Sequence, residues 1–333
     1  MSIDPSARTD APATGPQPPA RGWSLPDMRI PHSGLILMLV LVVALASFQT
    51  DSFLTATNLL NVLRQVSAGA VIAAGLTLLM TAGGMDFSMG SVVAVTTAVA
   101  AQLIAHDQPV WLAIVVSMAV ATVLGLVNGL VVTFTKVAPF VVTLATATLL
   151  DGAFLVILEG LSVSVGADLS ALGNGSTLGV PHLLIVAIVV LAVIAFVMRY
   201  TVFGRDAFAI GGNEDVARLS GINVARDKLI LYSLAGALSG LAGIMLLSRL
   251  AGSSPGTAGL PMQLTAVAAV VIGGTSLHGG RGTVFGTVLG VLLLGVVANV
   301  LNLLQIPSYY HLVSVGAVLL IAAIANQLNH RRK

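Results

Sequence analysis

The sequence predicts an all-α fold, a polytopic transmembrane bundle of about ten helices, and three observations predict it. The 333-residue chain is 56% hydrophobic and only 8% charged, against roughly 25% charged residues in a soluble domain. Its apolar runs recur at regular intervals, most of them near the roughly 17–25 residues that a spanning helix needs. Its basic residues gather in alternate connections between those runs. A water-facing surface cannot be built from so few charges, so lipid is the solvent for most of the chain. The 35 glycines fit the same picture, because membrane helices use small residues to pack backbones closely where lipid supplies no hydrophobic drive.

Taken in order, residues 1–33 carry prolines at 5, 12, 16, 18, 19, 26 and 31 and read as a disordered tail that cannot bury a core. Residues 34–48 resemble a signal-peptide core, with Ala44-Leu45-Ala46 like a cleavage site. The preceding tail is long and carries Asp4, Asp10 and Asp27, which favours an uncleaved first helix. Spanning helices are expected at 34–50, 59–81, 90–105, 110–133, 138–157, 181–198, 229–250, 263–277, 283–303 and 309–328. The 90–105 and 263–277 segments are candidates for partial re-entry. Residues 329–333 form a basic tail.

The charges test this layout. With a cytoplasmic N-terminus, the inner segments hold 13 of the 15 basic residues. The outer connections at 158–180 and 251–262 hold none, which is the positive-inside pattern. Arg64 and Arg249 are the exceptions, near the outer ends of their helices. Each either snorkels to the headgroups or lines the outer mouth of a pathway.

Two glycine turns echo each other: Gly83-Gly84 after the second helix and Gly273-Gly274, followed by Gly279-Gly280, after the eighth. Both are expected on the cytoplasmic side, as in a duplicated unit, a plan common among transporters. The rows Gly282/Gly286/Gly290, Gly125/Gly129 and Gly236/Gly240 present smooth helix faces for close contact.

No catalytic constellation is visible: there is no nucleophile elbow, no zinc-protease motif and no nucleotide-binding loop. The chain has no cysteine, and its six histidines show no ligand spacing. The formal net charge of +2 gives no case for nucleic acid as a partner. Energy for active transport would come from an ion gradient or from another subunit. Helix centres are nearly free of acidic and basic residues, Asp151 being the main intruder, which argues against proton or sodium coupling.

Residues 199–228 form the largest cytoplasmic connection. Asn213 is placed to cap a short helix over 214–220, with Glu214 and Asp215 in its first turn and Gly221 as its stop. That helix either docks on a partner or is a plain basic connector. Among polar residues on apolar helices, Asn128, Thr143, Thr146, Asn299 and Asn302 either touch a passing hydroxylated solute or bond helix to helix. Asp86, followed by Ser88, either caps the third helix or forms an inner gate.

Four strings now converge on a known family: TAGGMDFSMGS at 81–91, GLVNGLVVTFTKVAPFVVTLATATLLDG at 125–152, FGRDAFAIGGNEDVARLSGINV at 203–224 and AAVVIGGTSLHGGRGTVFGTVLG at 268–290. In this order, over about residues 55–325, the chain resembles the permease subunits of bacterial ABC importers of the ribose, xylose and galactose type. The apolar runs bound a transmembrane domain over 34–328 and the charges place both termini in the cytoplasm; the resemblance makes it a multi-pass permease of the inner membrane. It implies a pore of two such subunits, a separate cytoplasmic ATPase that carries ATP and Mg, and a periplasmic sugar-binding protein. No cofactor is expected on this chain, and lipid is its other partner. The 199–228 loop would be the coupling element, through Gly204, Arg205, Gly211, Gly212, Asn213, Glu214 and Arg218. Asp86, Ser88, Asn128, Thr143, Thr146, Asn299 and Asn302 would form the pathway or gate.

The chain departs from the family where an acidic residue and an Asp often flank a Leu; here the run is Gln263-Leu264-Thr265, expected near the outer loop. Asp151 stands where an Arg is common. The cargo implied is a monosaccharide or polyol; a nucleoside or a branched-chain amino acid is the alternative, with a secondary carrier or a passive channel as rivals of another kind.

Overall fold

The structure, a computed structural model, describes residues 32–135 and 137–307, with five further helical positions between 310 and 317. The expected tail up to residue 31, most of the tenth helix and the basic end lie outside the described residues. The elements are α1 (Ser33–Gln49), α2 (Ala56–Thr81), α3 (Met89–Ala105), α4 (Val110–Phe134), α5 (Pro139–Ile157), β1 (Val163–Ser164), α6 (Ala167–Asn174), β2 (Ser176–Thr177), β3 (Val180–Pro181), α7 (His182–Tyr200), α8 (Val202–Gly212), α9 (Glu214–Leu219), α10 (Val224–Leu250), β4 (Gly252–Ser253), α11 (Leu260–Ile272) and α12 (Val284–Leu303). The strands are two-residue ribbons, β1 antiparallel to β4 and β2 antiparallel to β3, confined to connections.

Among the described residues, six helices are long and apolar enough to cross a membrane: α2, α4, α5, α7, α10 and α12. They sort into two layers. Most of α2, α10 and α12 is buried, and the inner residues Val71, Ile72, Leu76, Ala242, Leu247, Leu293 and Leu294 form the core. In contrast, α4, α5 and α7 leave Val115, Val123, Leu149, Val156, Val189 and Phe196 exposed, a collar that lipid would cover. This is a helical transmembrane bundle, as the composition predicts.

Glycine sets how closely the layers approach. A Cβ at Gly125 of α4 would meet the Tyr232 carbonyl and lie 2.9 Å from the Cα of Gly236 on α10. Across the bundle, Gly290 of α12 sits against the Ala269 carbonyl of α11, and Gly286 against that of Gly273. The glycine rows therefore make helix contacts inside the subunit.

Two helices, α3 and α11, begin in the interior of the bundle, and α11 is also cut short. α11 ends at Ile272, five residues before the expected 277, because the Gly273-Gly274 step turns the chain, with Gly274 at φ 89°. Its N-terminus meets that of α3: the Gly259 amide donates to the Gly90 carbonyl at 3.1 Å. A 13-residue helix is about 20 Å long, so both N-termini lie that far inside the bundle from the end where α2 and α11 finish. The non-helical chain from Ala82 to Ser88, with Gly83 at φ 76° and Ser88 in the right-handed helical region, joins the end of α2 to the start of α3. The segments expected to be re-entrant are the two that start in the interior.

Two short helices escaped the sequence reading. α8 occupies the loop ahead of the expected 214–220 helix, which is observed at 214–219 as α9. α6 lies in the 158–180 connection and packs on the end of α10, where its Gly173 abuts the backbone of Ser248 and Arg249.

Candidate functional site

The loop between α7 and α10 is a folded unit. Thr201 caps α8 by accepting from the Gly204 amide at 3.1 Å, and Gly204 lies against the Val197 carbonyl of α7. Asn213 caps α9 through its Oδ1, which accepts from the Val216 amide at 3.0 Å. A six-residue helix is too short to persist alone. Two contacts hold it. Ile210, Ala217, Ile222 and Val224 form a small apolar cluster between α8, α9 and α10. Glu214 accepts from Lys228 Nζ of α10 at 2.6 Å and from Arg218 at 3.1 Å. Burial raises the Glu214 carboxyl, but the bond and charge of Lys228, reinforced by Arg218, outweigh it and hold the group below its ordinary value of 4.5. Outward, the unit exposes Arg205, Val216, Arg218 and Leu219, the last at 89%.

The inner side of this unit is a junction of backbones. A Cβ on Gly211 would meet the Thr81 carbonyl at the end of α2 and lie 2.6 Å from the Gly280 amide nitrogen. A Cβ on Gly279 would lie 2.8 Å from the Cα of Gly211 and 2.9 Å from that of Gly83. The Gly280 amide donates to the Thr81 carbonyl at 2.9 Å. The end of α2, the turn after α11 and the end of α8 thus touch at one point, with no side chain between them. Gly212, by contrast, is open to solvent, with nothing near a would-be Cβ.

Above the junction runs the non-helical 84–88 segment, and a polar network surrounds it. Asp86 Oδ1 accepts from the Ser88 amide at 2.7 Å and from Ser88 Oγ at 2.6 Å. Ser88 Oγ accepts from Asn128 Nδ2 at 2.7 Å, and Asn128 Oδ1 accepts from Thr146 Oγ1 at 2.8 Å. Thr143 Oγ1 accepts from the Phe87 amide at 3.1 Å, and Tyr232 donates to the Met85 carbonyl at 3.2 Å. Gln263 closes the set: its Oε1 accepts from the Gly90 amide at 3.0 Å and its Nε2 donates to the Asp86 carbonyl at 2.7 Å. Irregular backbone at membrane depth needs protein partners for its polar groups, and these side chains supply them.

The structure brings together five of the seven expected pathway residues: Asp86, Ser88, Asn128, Thr143 and Thr146. All are buried or half-buried. Asp86 sits ahead of α3, but its carboxylate bonds residue 88 rather than a first-turn amide, so it shapes the approach to the helix instead of capping it. The other two lie elsewhere. Asn299 exchanges two hydrogen bonds with Asn58, at 3.0 and 2.9 Å, and so bonds α12 to α2. Asn302 is exposed. Gln263 was expected near the outer loop; it is fully buried where α3 and α11 meet, because α11 begins in the interior. Tyr232, Asn58 and Lys228 were not singled out, since their partners lie far away in sequence and no local spacing announces them.

Comparison with known proteins gives a consistent result. A family model described as "Branched-chain amino acid transport system / permease component" matches residues 58–323. The ribose import permease protein RbsC of Haemophilus influenzae is 41% identical over 295 residues, 87% of this chain and 91% of that protein. Those of Bacillus subtilis and Escherichia coli K12 are 43% and 40% identical over 300 residues, 89% of this chain in each case and 92% and 93% of theirs. No solved structure was found to match. The six apolar spans and this likeness describe a multi-pass inner-membrane protein with a transport role. The chain belongs to the family of branched-chain amino acid transport system permease components.

Proposed function

We propose that this chain is the membrane-spanning permease subunit of an ATP-driven importer whose cargo is a monosaccharide of the ribose or xylose class, or a related polyol. The observation that carries the cargo is identity of about 40% to ribose import permeases along nearly the whole length of each. Positive-inside charge supports an orientation with both termini and the 199–228 loop in the cytoplasm. The chain has no nucleotide-binding loop of its own. ATP and Mg therefore belong to a separate cytoplasmic subunit, and a periplasmic binding protein delivers the sugar to a pore of two permease copies.

The mechanism follows from the loop's construction. The ATPase engages the exposed face of α9, with Val216, Leu219 and Arg218 as contacts. Asn213 and the Glu214–Lys228 pair hold that helix in place. Movement passes through Gly211 into the end of α2 and the 279–280 turn, a rigid-body displacement of packed elements. The Asp86 network then acts as the inner gate, because the 84–88 segment can change conformation only by exchanging these bonds.

The test is reconstitution of the permease with its ATPase and binding protein in proteoliposomes. Val216→Glu with Leu219→Glu alters only exposed side chains, so the subunit still inserts. Stimulation of ATP hydrolysis by sugar-loaded binding protein is expected to fall at least tenfold, as one or two buried hot-spot contacts are worth. Unchanged stimulation would remove the coupling assignment. The family's description favours a branched-chain amino acid as second reading, and saturable leucine uptake without ribose uptake in the same vesicles would establish it.

A further inference from the structure

A cavity of about 290 Å³ opens between α2, α10, α11 and α12, in the half of the bundle away from the glycine junction. Its size is near the lower end of the roughly 300–1,000 Å³ usual for small-molecule pockets. Among the described residues most of its wall is apolar, Leu246 and Leu294 included, and four side chains bring hydrogen-bonding capacity: Arg249, Gln65, Thr257 and Thr265. Arg249 is the penultimate residue of α10 and is half-buried. Among the described residues its guanidinium has neither an ion pair nor a hydrogen bond, the two ion pairs being Arg218–Glu214 and Lys228–Glu214. Gly173 of α6 packs on its backbone amide, and Arg249 lines the cavity.

A half-buried cation without a partner is costly, and snorkelling to a headgroup does not explain why it lines a cavity. Arg249 offers five N–H donors and no acceptor, whereas Gln65 both donates and accepts, and Thr257 and Thr265, whose hydroxyls donate to the Ser254 and Pro261 carbonyls at 2.6 and 2.9 Å, keep acceptor lone pairs. That mixture suits a neutral polyhydroxylated solute, whose ring and hydroxyl oxygens accept from arginine and whose hydroxyl hydrogens find the neutral groups. A carboxylate would use the arginine and leave the neighbouring acceptors unmatched. The apolar wall receives the C–H face of a sugar and keeps the affinity low. Gly69 opens on the same space: nothing lies within 4 Å of a would-be Cβ there.

We propose that this cavity is where the sugar rests during passage, with Arg249 and Gln65 as its main hydrogen-bonding groups and Gly69 leaving room for it. The proposal rests on the importer reading and names the site that reading lacks. The natural chain has no cysteine, so Gly69→Cys creates a single thiol that reports on the cavity. In the complete importer, a membrane-impermeant thiol reagent is expected to label it and to block uptake, and saturating ribose to slow labelling at least threefold. Gly69→Leu and Arg249→Gln are each expected to cut ribose uptake at least tenfold while ATP hydrolysis stimulated by loaded binding protein stays within twofold of wild type.

Uptake at the wild-type rate in both variants would overturn the site. So would labelling of Gly69→Cys that ribose leaves unchanged, or parallel loss of uptake and stimulated hydrolysis, which would mark Arg249 as a docking or folding residue. Protection by a sugar acid but not by ribose would overturn the neutral-sugar assignment. A wild-type assembly that hydrolyses ATP but imports no sugar would overturn the importer reading itself, and the cavity's role with it.

Discussion

Asn128 shows how much a single side chain carries in this bundle. It donates to Ser88 and accepts from Thr146, bridging α4 to the 84–88 segment and to α5. Asn128→Ala removes the bond that Ser88 accepts and leaves Thr146 only the Val142 carbonyl, at 3.0 Å, so a loss of about 1–3 kcal/mol is expected, read as a lower unfolding midpoint in detergent; an unchanged midpoint would mean that the network adds nothing to stability. The Asn58–Asn299 pair is a separate case. Side-chain bonds between membrane helices average about 0.6 kcal/mol, so a double-mutant cycle to Ala should give a coupling of about 1 kcal/mol for the two. Zero coupling would show that each finds other partners. At this scale the sequence was informative about residue type and blind to pairing. Polar residues on apolar helices stood out, but their two readings, solute contact and helix bonding, differ only in what lies opposite. Gln263 was visible as a departure from the family. Its partner Gly90, 173 positions away, was not.

Among the elements, α9 makes the sharpest case. The Glu214–Lys228 contact is its only ionic tie to a spanning helix among the described residues. Since the folded state holds the Glu214 carboxyl below 4.5, the pairing contributes fully above that value and fades as pH falls through the lower folded value. Hydrogen exchange of residues 213–220 is therefore expected to stay slow down to about pH 4.5 and to accelerate below it. Glu214→Gln should remove that step, and a step that persists in the variant would assign it to another group. The loop also marks where local signals fade. The cap at Asn213 and the stop at Gly221 made α9 legible. α8 was not, because three of its 11 residues are glycine, a poor helix former, and packing on α2 and α7 overrides that preference. Likewise, α3 and α11 were recognisable as odd segments by length, while their meeting in the interior depends on tertiary contacts that periodicity cannot express.

For the whole molecule, composition and periodicity decided most of the fold, since lipid demands apolar helices wherever the chain crosses. Orientation rests on charge alone, and labelling tests it. A cysteine at Arg218 in this naturally thiol-free chain should react only with reagent on the cytoplasmic side of sealed vesicles; reaction from the opposite side would invert the topology and remove the coupling scheme. The junction of Gly211, Gly83 and Gly279 has one more consequence. Side chains absorb displacement by switching rotamers or tilting, and long ones take up a fraction of an ångström at little cost. Here main chain rests on main chain, and nothing at the contact can swivel. A push on the loop would reach both halves of the bundle undamped and at once, as through meshed gears. The slack in the machine must then lie elsewhere, at the partner's grip on the loop or in the segment that the gate bonds hold.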